Sequence, residues 1–379
     1  MNILFLCSSL ESGRDGVGDY TRRLAAALLR QGHQSCIVAL HDRHLPTDRM
    51  HGTQFDEQQQ VNVLRLSSRL SWKDRLEEVA SFMLVVDPTW ISLQYVAYGF
   101  QDKGLPWSLA NQIKKITKER NLHIMFHELW LDKPDNFKQE LTWRTQKQMI
   151  RYSIKKMNPK AVSATIPFNI NRLAEIGVKA SLIELFGNIP YKPVAKREGL
   201  PAAMPDGKLN LLYFGAAPKG EFLHTMVRDL ITFCTVTGIS IRFTIVCGET
   251  AEKQKFISAL NSKLAQFGLS IVDVPFATTE RLSELMQQCD VGVSRSAPYL
   301  FGKSGTAIAM LEHGMPIWVA RWNGTDPLYY NFRTELIFDN LRHAANASVN
   351  RTFSPHPLLP KIASNFLNHL NATEMIETA

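Results

Sequence analysis

Short apolar runs alternate with longer amphipathic stretches over nearly the whole of this 379-residue chain. The runs predict buried strands, and the stretches between them, with apolar residues three or four positions apart, predict helices. The predicted strands are 3–7, 35–40, 61–66, 90–94, 123–127, 161–165, 181–186, 209–214, 241–246, 270–274, 291–294 and 316–320. The predicted helices are 19–31, 71–86, 104–120, 137–157, 168–176, 221–236, 250–267, 279–288 and 304–313. This alternation favours an α/β protein with mostly parallel sheets that helices cover on both faces.

The alternation is interrupted at residues 188–208, where prolines and glycines are frequent and no period is visible. We interpret this segment as a linker between an N-terminal unit (1–187) and a C-terminal unit (209–354). Residues 355–379 predict a terminal helix that is able to pack back on the first unit. Open parallel sheets bind ligands beyond the carboxyl ends of their strands, so we expect the two units to face each other across a cleft.

The composition is that of an ordinary globular protein, with 45% apolar and 21% charged residues. No apolar run is long enough to span a membrane, and no signal-peptide pattern is present. The five cysteines form no C-x-x-C pair, which favours free buried thiols in a reducing compartment. We therefore expect a cytoplasmic protein, and its net charge of +8 favours partners that carry phosphate.

The chain opens with a strand, a glycine-rich loop and an amphipathic helix. Backbone N–H groups at a helix N-terminus suit an anion or the edge of a sugar or nucleotide, and the candidate contacts are Gly16 and Gly18. Both fit a dinucleotide fingerprint, for which Asp42 supplies the acidic residue, but Thr21 stands where the third glycine belongs. A nicotinamide-dependent oxidoreductase is therefore a weak alternative, and a turn without a ligand is another.

Two further loops place reactive side chains directly after predicted strands. His127 ends the strand 123–127, where a histidine faces the ligand crevice and can donate a hydrogen bond or act as an acid or base. Gly215 follows the strand 209–214 and lets a ligand approach the backbone, and Lys219 beside it can reach a phosphate. For each residue an ordinary structural role is the alternative.

The segment between the strand 291–294 and the helix 304–313 combines small residues, hydroxyls and basic side chains. Such a composition at a helix N-terminus suits a diphosphate. The candidate ligands of the diphosphate are Arg295, Lys303, Ser304, Gly305 and Thr306. A P-loop ATPase is not indicated, because Ala297 stands where the Walker motif needs glycine.

The sequence contains no D-x-D, H-E-x-x-H or G-x-S-x-G motif. A metal-centred mechanism and a serine hydrolase are therefore not indicated. We predict no metal ligands and no cofactor.

Four segments together resemble the GT-B glycosyltransferases, especially the large retaining group that uses nucleotide-sugar donors (glycosyltransferase family 4-like). These segments are GVGDYTRRLAAALLRQGH, FHELW, LLYFGAAPKG and AIAMLEHGMPIWV. The resemblance covers most of the chain and implies two Rossmann-like domains, with the donor nucleotide held mainly by the second and the acceptor by the first. It makes His127 the active-site histidine beside the transferred sugar and Lys219 a phosphate cation. It makes Gly16 and Gly18 contacts of the donor diphosphate or the acceptor.

The chain departs from the family pattern in its second domain. The family usually has an arginine where this chain has Ala216, and two glutamates where it has Phe301 and Ala309. The second glutamate usually holds the donor ribose. Glu312 lies one helical turn later on roughly the same face, which makes it the candidate ribose contact. Arg295 or Lys303 is the candidate replacement for the missing cation.

The helix predicted over 137–157 is basic and carries aromatic side chains. Such a face is either solvated or rests on an anionic membrane. The residues concerned are Lys138, Arg144, Lys147, Arg151, Lys155, Lys156 and Lys160, with Trp130, Trp143 and Tyr152.

The sequence therefore predicts a metal-independent, bacterial-type glycosyltransferase of the hexosyltransferase kind. It would move a sugar from a nucleotide-diphosphate donor, of the UDP or GDP type, to an acceptor hydroxyl in glycan, glycolipid or secondary-metabolite synthesis. The resemblance implies retention of configuration. The acceptor is a sugar, a lipid-linked sugar or a small molecule, and we expect no nucleic-acid partner. A non-catalytic nucleotide-sugar or glycan-binding protein and a nucleotide-sugar epimerase of the same build remain alternatives.

Overall fold

The computed structural model describes residues 1–132, 134–193, 207–349 and 354–377. Contacts divide the chain into two compact units. Unit 1 comprises Met1–Glu184 together with Leu359–Ala379, and unit 2 comprises Leu185–Leu358. Each unit is built on one mostly parallel sheet, which confirms the predicted α/β class. Most of the predicted linker, 188–208, lies outside the described residues.

The described residues of unit 1 form eight strands. They are β1 (Asn2–Cys7), β2 (Gln34–Asp42), β3 (Arg49–Asp56), β4 (Gln59–Ser67), β5 (Trp90–Tyr95), β6 (Asn121–Phe126), β7 (Ala161–Ala164) and β8 (Ser181–Leu182). Their order in the sheet is β3-β4-β2-β1-β5-β6-β7-β8. The described pairs are parallel except for β3 with β4, which is antiparallel.

The strand β3 is not among those predicted from the sequence. This strand lies at the edge of the sheet, and most of its residues are exposed or half-exposed. Its sequence, RMHGTQFD, therefore has no apolar run from which a strand could be recognised.

Helices pack on both faces of the unit 1 sheet. They are α1 (Gly16–Arg30), α2 (Trp72–Val86), α3 (Ala97–Phe100), α4 (Leu109–Thr117), α5 (Phe137–Met157) and α6 (Pro167–Ala174). The central strands β1 and β5 are almost completely buried between these layers, as parallel strands covered on both faces must be.

In the part of unit 2 that the structure describes, six strands form one sheet, and all of their pairs are parallel. They are β9 (Lys208–Phe214), β10 (Ser240–Val246), β11 (Ser270–Val274), β12 (Val291–Ser294), β13 (Ile317–Val319) and β14 (Ile337–Phe338). Their order is β11-β10-β9-β12-β13-β14. The helices are α7 (Gly220–Thr237), α8 (Ala251–Leu264), α9 (Thr279–Gln288), α10 (Gly305–Glu312) and α11 (Leu341–Val349). Short 3-10 helices cover Ala265–Phe267, Pro298–Lys303 and Thr334–Leu336.

The last helix, α12 (Leu359–Glu377), belongs to unit 1 although it follows unit 2 in the chain. The amide of Gln31 donates to the carbonyl of Pro360 at 3.3 Å. The indole N–H of Trp90, on β5, donates to a carboxylate oxygen of Glu374 at 2.6 Å. These bonds tie both ends of α12 to unit 1.

The strand order of each sheet reverses beside its first strand. In unit 1, β1 lies between β2 and β5, and in unit 2, β9 lies between β10 and β12. Open α/β sheets leave a crevice at such a reversal, beyond the carboxyl ends of the strands. The loops after β1, β5, β9 and β12 are therefore the places to look for a ligand site.

Candidate functional site

The loop between β1 and α1 contains the predicted contacts Gly16 and Gly18. The carboxylate of Asp15 caps the helix: its Oδ1 accepts the backbone N–H groups of Val17 at 2.9 Å and Gly18 at 3.1 Å. A Cβ added to Gly18 would lie 2.3 Å from the carbonyl oxygen of Ser9, so Gly18 is needed for the close packing of α1 on this loop. The helix end already carries a negative charge, and it therefore suits a sugar hydroxyl better than a diphosphate.

Asp42, at the end of β2, anchors the same loop. It is fully buried, and its carboxylate accepts hydrogen bonds from Arg65 at 2.7 Å, from the Leu10 backbone N–H at 3.1 Å and from the Ser9 hydroxyl at 3.0 Å. Burial alone would raise the pKa of Asp42, but the bonds from Arg65 and Leu10 outweigh it and lower that pKa. These partners occupy the carboxylate, which argues against its use on the ribose of a dinucleotide.

His127 follows β6 and is 6% exposed. Its Nε2 lies 2.9 Å from Oε1 of Gln94, a buried residue of β5. The ring of Tyr20, on α1, packs edge-on against the imidazole with centroids 4.9 Å apart. The strand reversal thus brings His127 and the start of α1 to the same edge of unit 1, with Gln94 fixing the orientation of the ring.

Gln94 continues a chain of buried hydrogen bonds into the core. Its amide nitrogen donates to the Ser92 hydroxyl at 2.8 Å, which lies 2.8 Å from Nδ1 of His123. Nε2 of His123 lies 3.0 Å from the Ser163 hydroxyl. Burial, together with the charges of His369 and His127, lowers the pKa of His123 well below its usual range, so this ring is neutral. This series of hydrogen bonds fixes the orientation of the His127 ring. It could not be predicted from the sequence, because its members lie on three different strands.

The corresponding edge of unit 2 begins with Gly215, directly after β9. Its φ of +125° is one that other residues rarely adopt, and no heavy atom lies within 4 Å of an added Cβ. Lys219 is exposed and precedes α7, whose N-terminus has no side-chain cap. The turn therefore presents bare backbone, an uncapped helix end and a cation on one side of the strand reversal.

Arg295 stands on the other side of that reversal, directly after β12. The Ala320 backbone N–H donates to the carbonyl of Ser294 at 3.1 Å, so Arg321 follows β13 at the same edge of the sheet at which Arg295 follows β12. Both arginines are exposed, and within the described ranges neither forms an ion pair; the same holds for Lys219. The sequence analysis missed Arg321, although a basic residue directly after a buried strand is the signal that identified Arg295.

The helix α10 begins at this edge with the predicted residues Lys303 to Thr306. Ser304 caps the helix by accepting the Ala307 backbone N–H at 3.2 Å, and its hydroxyl lies 3.0 Å from that of Thr306. Lys303, Ser304, Gly305 and Thr306 are half-buried. The cap is a neutral hydroxyl, in contrast to the carboxylate on α1, so the positive end of the α10 dipole is not neutralised.

Glu312, the predicted ribose contact, is the last residue of α10. It is 3% exposed, and its Oε1 accepts the backbone N–H groups of Gly187 and Leu358, each at 3.0 Å. A Cβ on Gly187 would lie 2.6 Å from Oε2 of Glu312. The carboxylate thus joins the two chain segments at which unit 2 begins and ends, and this argues against the predicted ribose contact.

The structure brings the predicted residues together in two groups. Gly16, Gly18 and His127 lie at the carboxyl edge of unit 1. Those at the edge of unit 2 are Gly215, Lys219, Arg295, Lys303, Ser304, Gly305 and Thr306. Among the described residues, no three His, Cys, Asp or Glu side chains lie close enough together to hold a metal ion. No described helix is both long and apolar enough to cross a membrane.

Comparisons with known proteins add the following. No family model and no curated protein matches the sequence. The catalytic domain of starch synthase IV from Arabidopsis thaliana, bound to ADP and acarbose, matches with a TM-score of 0.60 and 9% identity over 98% of this chain and 99% of that one. Anabaena HepE, in complex with UDP and glucose, matches with a TM-score of 0.55 and 15% identity over 100% and 98%.

The UDP-GlcNAc 2-epimerase from Methanocaldococcus jannaschii matches with a TM-score of 0.52 and 14% identity over 98% of this chain and 100% of that one. At such identities these likenesses show the fold alone. The chain has the GT-B fold, with two Rossmann-like units, which confirms the predicted architecture. Membership of the family 4-like group stays a prediction.

The role of Glu312 is testable by substitution. We expect Glu312→Gln to lower the free energy of unfolding by about 1–3 kcal/mol, because a neutral amide accepts the two backbone N–H groups more weakly than a carboxylate does. Urea denaturation measures this loss, and calorimetry on the folded variant should give an unchanged nucleotide affinity. The matched control is Glu335→Gln, whose side chain is 65% exposed. Lost nucleotide affinity with unchanged stability would restore the ribose contact.

Proposed function

We propose that this protein is a glycosyltransferase that uses a nucleotide-diphosphate sugar as donor. The observation that carries the proposal is the cluster of basic side chains at the strand reversal of unit 2, where Lys219, Arg295 and Arg321 follow neighbouring strands and α10 begins with a neutral cap. A diphosphate is the ligand that such a group of cations and helix N–H groups recognises. The GT-B fold supports the proposal, as do the ADP and UDP in the two transferase-like neighbours.

The basic side chains and the N-terminus of α10 act on the reaction electrostatically. In the transfer, the acceptor oxygen bonds to the anomeric carbon while the bond from that carbon to the diphosphate oxygen breaks. The acceptor proton is released, and the leaving diphosphate gains negative charge. Cations and N–H groups held in place before the reaction stabilise that charge without reorganising. We therefore assign leaving-group stabilisation to Lys219, Arg295 and Arg321, with Ser304, Gly305 and Thr306 contacting the phosphate oxygens and no metal required.

His127 is proposed to contact the transferred sugar. Its ring is buried and oriented by Gln94, so it can make a hydrogen bond of fixed direction at the edge of unit 1. Gly16, which is exposed, is proposed to contact the acceptor rather than the diphosphate, because the carboxylate of Asp15 caps this helix end. Gly18 is buried, and its role is to let α1 pack closely on the loop. A UDP- or GDP-sugar donor and retention of configuration rest on the resemblance to the family, and the proposed cytoplasmic setting rests on the five free, buried cysteines.

An epimerase is the second candidate, because one neighbour is a UDP-GlcNAc 2-epimerase. Such an enzyme needs carboxylates to handle the glycosidic bond. Near the carboxyl ends of β10 and β11, Glu249 and Asp273 both bind the buried Lys253, at 2.6 Å for Asp273. This pairing favours the transferase. A non-catalytic binding protein is distinguished by turnover: it would bind nucleotide sugars and convert none of them.

The arginines of unit 2 provide the test of the donor site. We expect Arg295→Gln and Arg321→Gln each to raise the dissociation constant of the best-bound nucleoside diphosphate by about 10- to 100-fold, since each removes a charged hydrogen bond. Calorimetry with UDP, GDP and ADP measures the effect. The matched control is Arg228→Gln on α7, a 72% exposed arginine beside Asp229, which should leave the affinity unchanged. Equal losses in all three variants would mean a general effect of charge and sink the assignment.

We also propose that the outer face of α5 contacts an anionic membrane. Phe137 and Leu141 are 84% and 58% exposed, and Arg144, Arg151 and Lys155 lie exposed on the following turns. Exposed apolar side chains beside basic ones are typical of helices that lie at a membrane surface.

Part of the basic and aromatic set named from the sequence does not belong to this face. Trp130 is 5% exposed, and Lys147 lies over it while pairing with Glu175 at 2.8 Å. Trp143 is half-buried against the core. These side chains pack within unit 1.

Vesicle sedimentation tests the membrane contact. The wild type should bind vesicles that contain phosphatidylserine but not vesicles of phosphatidylcholine alone, and the double change Phe137→Ser and Leu141→Ser should abolish binding. The matched control is Leu84→Ser with Val85→Ser on α2, which removes two apolar side chains of similar exposure, 84% and 86%. Binding that survives the α5 change, or is lost equally in the control, would overturn the proposal.

A further inference from the structure

A pocket of about 460 Å³ lies within unit 1, at the carboxyl ends of β2, β4 and β5. Its volume is in the range of small-molecule sites, about 300–1,000 Å³. The residues that matter here are His41, Trp72, Arg75, Phe100, Trp107 and Ser108. None of them was a candidate in the sequence analysis, and the roles proposed above leave the pocket unassigned.

Arg75, on the first turn of α2, is the most informative of these residues. It is 4% exposed, and its only hydrogen bond from the guanidinium to the described residues runs from Nη2 to the carbonyl of Ser68, at 2.7 Å. Its Nε is buried and has no hydrogen-bond partner. No carboxylate of the described residues forms an ion pair with it. A buried charge without a counter-ion is costly, so a ligand that supplies the anion would be bound favourably.

The nearby acidic side chains do not fill this role. Asp42 pairs with Arg65 at 2.7 Å, and the exposed Asp102 pairs with Arg43 at 2.7 Å. Asp74, the residue before Arg75, accepts the Ser71 hydroxyl at 2.7 Å and forms no ion pair with Arg75 among the described residues. Arg75 remains the unmatched charge on the pocket wall.

A second feature adds positive potential to the same pocket. The helix α4 begins at Leu109, and its N-cap residue, Ser108, makes no side-chain capping bond. Both residues line the pocket, so the positive end of this helix dipole is directed at it. Two elements distant in sequence, α2 and α4, therefore favour an anion at one place.

The remaining walls suit the ring of a sugar. The guanidinium carbon of Arg75 lies over the ring of Trp72, 4.9 Å from the centroid of that ring. Phe100 packs into the core. Trp107 is 46% exposed; its ring lies 6.4 Å from that of Tyr152, centroid to centroid, and keeps part of its aromatic surface accessible. Aromatic faces of this kind accept the C–H face of a sugar ring. Burial, and then the charges of Arg75 and Arg43, lower the pKa of His41 to about 4, so its neutral ring has one donor and one acceptor for hydroxyl groups.

We infer that this pocket binds a sugar that carries an anionic group, either a carboxylate or a phosphate, with the anion on Arg75 and the ring against Trp107. Its use as the acceptor pocket of the transferase rests on the proposed function. Binding of the sugar itself does not, because it needs no donor.

Calorimetry without nucleotide tests the inference, with glucuronate and glucose 6-phosphate as the anionic probes and glucose as the neutral one. At least one anionic probe should bind the wild type at least tenfold more tightly than glucose. Arg75→Met should weaken that binding tenfold or more, and Arg75→Lys should retain part of it, since lysine keeps the charge without the planar fork. Preference for one of the two probes identifies the anion as carboxylate or phosphate.

Two further variants keep the test decisive. Trp107→Ala changes an exposed side chain, so it should fold, and we expect it to weaken binding at least threefold. Arg69→Met, six residues earlier in the connection between β4 and α2 and with a 59% exposed side chain, removes the same charge and should have no effect. The inference fails if neither anion binds, if glucose binds equally well, or if Arg69→Met matches Arg75→Met. Nucleoside diphosphate binding, measured on the same samples, shows independently whether the donor proposal holds.

Discussion

The constraint on which this structure depends is the burial of parallel strands between two layers of helices. Every residue of β5 is buried, and Ile3 to Cys7 of β1 are fully inaccessible. Uncompensated charges are costly in such an interior. The polar and charged side chains that are available to bind a ligand therefore lie mostly in the loops at the carboxyl ends of the strands. The interior polar chain through Ser92 and His123 is tolerated because its members satisfy one another.

The loops at the strand reversals carry opposite charges in the two units: carboxylates in unit 1 and basic side chains in unit 2. In unit 1, Asp15 and Asp42 satisfy the backbone N–H groups around the first loop, which makes that edge suited to hydroxyl groups. In unit 2, Lys219, Arg295 and Arg321 stand at the strand reversal without ion-pair partners in the described ranges. This difference is the physical reason for assigning the diphosphate to unit 2, and it is independent of the resemblance to known families. The pocket around Arg75 is the exception in unit 1, and it is why an anionic group is assigned there.

The sequence predicts the fold well because buried strands and amphipathic helices each leave a periodic pattern. The edge strand β3 has no such pattern, and it was missed. Residues directly after strands, such as His127 and Arg295, could be found in the same way. Partners distant in sequence could not: the bond of Asp42 to Arg65 and the bonds of Glu312 to Gly187 and Leu358 appear only when the chain is folded. The ribose contact predicted for Glu312 is affected for the same reason: helical spacing gives a face but not the neighbours of that face, and the buried bonds of Glu312 argue against the contact.

The central claim is that the cations of unit 2 recognise a diphosphate, and the most direct measurement compares each nucleoside diphosphate with its own monophosphate. Titration calorimetry with UDP and UMP, GDP and GMP, and ADP and AMP at two salt concentrations isolates the second phosphate. The account predicts that at least one diphosphate binds about tenfold or more tightly than its monophosphate, and that the difference shrinks as salt screens the charges. Diphosphates that bind no more tightly than monophosphates, or do not bind at all, would contradict it.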